Sequence, residues 1–105
     1  MNIGELAENI GLEEDEYLEL VELFVETGMT DMDKLQSAID AGNAEEVARA
    51  SHSLKGASSN LGFMEFSKVA REINDEAREG RLDGSSKSAG VLKEKLNAIA
   101  GIIGK

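Results

Sequence analysis

An all-α fold, an antiparallel up-down four-helix bundle with a short extra N-terminal helix, is what this sequence predicts. Three observations lead there. All strong apolar periodicity is helical, and no stretch alternates as a strand would. Proline is absent, so no helix need lose a backbone donor to it. Glycines punctuate the amphipathic stretches, and the short connections they leave set neighbouring helices antiparallel. At 105 residues the chain suits one domain over 1–105, with a single modest core.

The elements read in order as follows. Met1 to Ile10 is a short amphipathic start stopped by Gly11, expected to pack across one end of the bundle. Glu13 to Thr27 carries Tyr17, Leu18, Leu20, Val21, Phe24 and Val25, with Gly28 behind it; the acidic run Glu13-Glu14-Asp15-Glu16 favours the dipole at its start. Met32, Leu35 and Ile39 form a third stripe ending at Gly42, which Thr30 or Asp31 can cap. Asn43 and Glu46 resemble a capping box that opens the helix of Val47, Ala50, Leu54, Ala57 and Leu61, and Gly62 closes it as a left-handed cap. Phe66, Val69, Ala70, Ile73 and Ala77 mark the next helix, which stops near Gly80. Arg81 to Ser86 reads as a turn, and Leu92, Leu96, Ile99 and Ile103 mark the last helix. Met29, Met32 and Met64 read as core or turn fillers.

Composition excludes several functions. A net charge of −10 disfavours nucleic acid, whose binding needs basic surface, and anionic membranes alike. No apolar run is long enough to span a bilayer, and no secretory leader is visible at the start, so a cytoplasmic protein is expected. Without cysteine there is neither a disulfide framework nor a thiolate metal site. Asp31 and Asp33 lack the rest of a calcium loop. No metal and no cofactor is expected.

The chain has one histidine, His52. At about 100° per residue, the stripe Val47, Ala50, Leu54, Ala57, Leu61 gathers on one side of its helix, and His52 falls roughly opposite. It therefore faces water or a partner. One turn away lie Ala48, Arg49, Lys55 and Gly56, and Ser59 follows two turns on: small side chains flanked by two cations. Gly56 is costly at a helix interior, by about 1 kcal/mol relative to alanine. Its use there is close approach of another protein to the imidazole. A neutral imidazole is a nucleophile near neutral pH. If it took a phosphoryl group, Lys55 at i+3 could offset the added charge, and Arg49 at i−3 could help. Phosphoryl transfer rests on positioning and charge stabilisation, which a partner protein can supply.

The run His52-Ser53-Leu54-Lys55-Gly56-Ala57-Ser58-Ser59-Asn60-Leu61-Gly62 resembles the signature of histidine-containing phosphotransfer domains, H-x-L-K-G-x-S-x-x-L-G, at all six fixed positions after the histidine. The local likeness extends over about forty residues, from Ala48 to the helix ending Arg78-Glu79-Gly80, and the helix count extends it further. The resemblance implies a four-helix bundle whose exposed histidine accepts and donates phosphoryl at Nε2. The partners it implies are histidine kinases and the receiver domains of response regulators. It places the acceptor at His52, the charge partner at Lys55 and the access-giving glycine at Gly56. Ile73-Asn74 stands where many members carry a leucine-glutamate pair, so no partner contact is inferred through a glutamate there.

Receiver active sites are acidic, so docking needs local positive charge. Arg49, Lys55, Lys68 and Arg71 would supply it beside Ala48 if the two central helices pack antiparallel. Three other readings compete. An acidic helical docking module would bind a kinase or receiver without transfer. An acyl carrier would need its attachment serine at a helix start, whereas Ser58 and Ser59 come late. The domain could also be one excised from a larger kinase. Members of this size are expected to be monomers.

Overall fold

The computed structural model describes residues 2–104; Met1, where the predicted first stretch begins, lies outside the described residues. It contains α1 (Ile3–Asn9), α2 (Glu14–Asp40), α3 (Ala44–Asn60), α4 (Met64–Arg78) and α5 (Ser85–Ile102), with no strand among the described residues. Helix α2 packs on α3 and α5, α4 packs on the same two, and α1 lies against α2.

Direction and register can be read from bonds between helices. Tyr17 and Asp31 on α2 meet Leu61, which caps the end of α3, and Ser53 on α3, so later positions on one meet earlier positions on the other. Ser67 and Asn74 on α4 meet Lys55 and Ala48 on α3 in the same sense. On the fourth side, Lys95 of α5 reaches Glu65 of α4. The predicted up-down bundle is therefore the observed one.

The caps follow local chemistry. Asn2 accepts the backbone N–H of Glu5 at the start of α1, and Asn43 accepts that of Glu46 at the start of α3. At the start of α2 the Glu16 carboxylate accepts the N–H of Glu13, so the acidic run closes that terminus as well as favouring its dipole. Helix α3 ends in a Schellman arrangement: Gly62, at φ +85°, and Phe63 donate to the carbonyls of Ser59 and Ser58.

Two boundaries differ from expectation. Helix α2 runs unbroken through Gly28, joining two stretches that the sequence separates. Gly28 is buried there, and a Cβ on it would lie 3.3 Å from Leu96 Cδ1. It brings α2 and α5 close together and breaks nothing. Thr30 and Asp31 accordingly cap no helix: Thr30 donates to the Glu26 carbonyl and Asp31 accepts from Ser53. The expected turn Arg81 to Ser86 is also shorter, since α5 begins at Ser85.

The core takes Tyr17, Phe24, Leu35, Val47, Leu54, Phe66, Ile73, Leu92 and Leu96 from all four long helices. Its aromatic centre is Phe24, whose ring lies 5.7 Å from Phe63 and 5.4 Å, edge-on, from Phe66. Among the methionines of the described residues only Met32 is a core filler; Met29 and Met64 are exposed. Leu20, counted in the α2 stripe from sequence, is exposed as well, beside Leu23. No helix among the described residues is long and apolar enough to cross a membrane.

Candidate functional site

His52 stands on the outer surface of α3, exposed, one residue from fully buried Ser51 and two from fully buried Leu54. Those neighbours fix the direction in which the imidazole points. The inward face of α3 is Val47, Ala50, Ser51, Leu54, Ser58 and Leu61. It includes two serines that a hydrophobic stripe does not show. Each hydroxyl is satisfied by a carbonyl one turn back: Ser51 donates to Val47 at 2.7 Å and Ser58 to Leu54 at 2.7 Å.

The expected neighbours of His52 separate into two groups. Ala48, Lys55 and Gly56 are half-buried beside it, and Ser59 is exposed two turns on. Lys55 makes no ion pair among the described residues, so its ammonium is available to an anion on the imidazole. Arg49 differs from expectation. Its guanidinium bonds Glu46 at 2.6 Å and Glu45 at 3.1 Å, toward the start of α3, and is not held for a charge at His52. The bonds are local because these carboxylates lie three and four residues before it on the same helix face. They are exposed pairs, worth about 0–1 kcal/mol each, and easily rearranged.

Gly56 has no steric cause inside the protein. A Cβ built on it would meet nothing within 4 Å, and its φ is not positive. The space beside it is open to a visitor. Gly28 shows the contrast, since its missing side chain is filled by Leu96 from within.

Across the α3–α4 groove the alignment is specific. Ala48, His52 and Lys55 follow one another at i, i+4, i+7 on α3, and Asn74, Arg71 and Ser67 do so in the reverse sense on α4. Hydrogen bonds join the ends of these two rows: Asn74 Nδ2 donates to the Ala48 carbonyl at 2.7 Å, and Ser67 Oγ to the Lys55 carbonyl at 3.3 Å. By that register Arg71 falls within about one residue of the level of His52 along α4, exposed and without an ion pair among the described residues. Lys68 is exposed beside it on α4. The antiparallel packing that brings both cations to this side of the bundle is the observed one.

Sequence reasoning missed Ser67 and the role of Asn74. Asn74 is buried, in the position singled out only as a departure from a family pattern. The available signal was the seven-residue spacing of Ser67 and Asn74, matched by that of Ala48 and Lys55.

The charge is also unevenly spread. No lysine or arginine precedes Lys34, so all 11 basic residues lie from there onward, against fewer than half of the 21 acidic ones. The net charge of −10 therefore belongs to the N-terminal third, and α3 and α4 stand in a nearly balanced region.

Residues 19–102 match the sequence profile of the Hpt domain. No curated protein matches significantly. Among solved structures, the crystal structure of histidine-containing phosphotransfer protein B (HptB) from Pseudomonas aeruginosa PAO1 superposes with a TM-score of 0.84 at 28% sequence identity. The match covers 93% of this chain and 85% of that one.

Proposed function

This chain belongs to the Hpt domain family, and from that premise we propose that it is a phosphocarrier. It relays a phosphoryl group, as phosphohistidine at His52, between a sensor kinase or its receiver domain and a response regulator. The observation that carries the reading is the exposed His52 beside a half-buried lysine, with no ion pair among the described residues, and a glycine with open space around it.

Each residue has a task in this reading. A ring nitrogen of His52 attacks the phosphorus of a partner's phosphoaspartate, the acyl-phosphate bond breaks, and the aspartate leaves as its carboxylate. In the other direction the same bonds form and break in reverse. Lys55 offsets the charge that arrives on the imidazole. Gly56 and Ala48 let the partner's active site come close. Ser59 borders the same surface. Lys68 and Arg71 on α4 meet the acidic rim of a receiver, and Arg49 joins them once released from Glu45 and Glu46. The chain supplies no catalytic base and no nucleotide pocket of its own; the partner brings its metal ion and acidic residues to the transfer. We place the protein in the cytoplasm, acting as a monomeric single domain.

The test is labelled transfer. The protein is incubated with phosphorylated receiver domains and kinases from its own genome, with His52→Gln alongside. Acid-labile, alkali-stable label on wild type alone is expected. A folded wild type that takes label from no donor would replace this reading with that of a docking module.

A further inference from the structure

We infer that α4 holds the His52-bearing turn of α3 at two points, and that Asn74 and Ser67 are positioning residues for phosphoryl transfer. The inference rests on the phosphocarrier reading and deepens it.

The two bonds form a repeated unit. At one point the Ala48 carbonyl accepts Asn74 Nδ2 at 2.7 Å and Ser51 Oγ at 3.2 Å. At the other the Lys55 carbonyl accepts Ser67 Oγ at 3.3 Å and Ser58 Oγ at 3.1 Å. Each point has one carbonyl, one serine three residues on in the same helix, and one side chain from α4. The units lie seven residues apart on both helices and run in opposite directions. Helix geometry adds a further link: the Ala48 carbonyl is the one that pairs with the backbone N–H of His52 itself.

The placement is selective. These are the only side-chain-to-backbone bonds between α3 and α4 among the described residues, and they fall four residues before His52 and three after it. Packing alone does not ask for them. Asn74 is a buried amide beside Ile73 and Ala77, where an apolar side chain would fill the space without desolvating a polar group. A hydrogen bond to a carbonyl of the neighbouring helix does what apolar contact does not: it sets the axial register and roll of α3 against α4. Transfer needs the attacked phosphorus, the imidazole nitrogen and the leaving oxygen in line, so error in that register is felt by a docked partner.

The test compares two phosphoryl donors. Phosphoramidate is small and needs no docking. The ring nitrogen of His52 bonds its phosphorus, the P–N bond breaks, and ammonia leaves with the proton that balances it. The second donor is the receiver domain that exchanges phosphoryl with wild type. Ser67→Ala, Asn74→Ala and their double variant are compared with Ser67→Thr, which keeps the hydroxyl, after thermal melts establish that each is folded at the assay temperature. With phosphoramidate all should react within twofold of wild type. With the receiver domain the double variant should lose kcat on the order of tenfold while KM stays within threefold, and Ser67→Thr should match wild type.

Unchanged kcat in the folded double variant overturns the inference and leaves the phosphocarrier reading standing. An equal loss with both donors overturns it too, because the defect then lies in the imidazole or the fold. Should the double variant not fold, Ser67→Ala decides by the same criteria, since it gives up only the longer bond. A wild type that accepts phosphoryl from no donor defeats the phosphocarrier reading and this inference together.

Discussion

The hydroxyl of Tyr17, near the start of α2, donates to the carbonyl oxygen of Leu61, just past the end of α3, across a buried 2.5 Å. The last carbonyls of a helix have no partner within it. Tyr17 supplies one for α3 and ties the first turns of α2 to the turn that leads into α4. Tyr17→Phe keeps the ring contact with Phe63 but leaves that buried carbonyl unpaired. A loss of about 1–3 kcal/mol is expected in denaturant unfolding.

The same residue sets a pH dependence. Burial removes the phenol from water and raises its pKa above the usual 10.0. In the unfolded chain the phenol ionises at its ordinary value, so its contribution to stability is complete below pH 10 and falls as pH rises through the folded pKa. Unfolding curves of wild type and Tyr17→Phe should therefore converge above about pH 10. Parallel curves up to pH 11 would show that Tyr17 is not the group responsible.

Gly56→Ala separates stability from function. Nothing surrounds the new methyl, and the helix gains about 1 kcal/mol, which should raise the melting midpoint by roughly 4–8 °C. Transfer to and from a receiver should slow, while phosphoramidate labelling stays unchanged. Wild-type transfer in this variant would remove the case for Gly56 as an access residue.

Gly28→Leu should do the opposite. Even a Cβ at Gly28 is tight against Leu96, and a full side chain must push α5 away from α2. Overpacking of this kind costs about 1–3 kcal/mol, to be read from chemical denaturation. His52 lies on another helix face, so labelling of the folded fraction should persist.

Lys68 and Arg71 are predicted to act on encounter. The Lys68→Glu, Arg71→Glu pair should slow association with an acidic receiver by about tenfold at low salt and flatten its salt dependence. Association measured by stopped flow at two ionic strengths decides this. Identical rates and salt slopes would make both residues solvated charges and nothing more.

Much of the site was legible because it depends on a single helix. The position of His52 opposite the apolar stripe follows from the helical period, and the glycine at its side was conspicuous for its cost. The left-handed cap at Gly62 was equally local. For Arg49 the sequence shows which residues are neighbours and not which neighbour holds it; in the structure Glu45 and Glu46, a turn back, take its guanidinium.

The sequence by itself determined the helical class, the outward histidine and the residues one turn from it, since periodicity reports which way a side chain leaves its own helix. Only the tertiary structure decided what faces each helix from outside. Gly28 reads as a break until Leu96 occupies the space beside it, and Leu20 reads as core until the bundle closes without it. Ser51, Ser58 and Asn74 stand outside the apolar stripes, and only the structure places them inside, where carbonyl oxygens satisfy them. Small and polar residues carry little directional preference of their own, so burial is imposed on them by the neighbouring helix and its register.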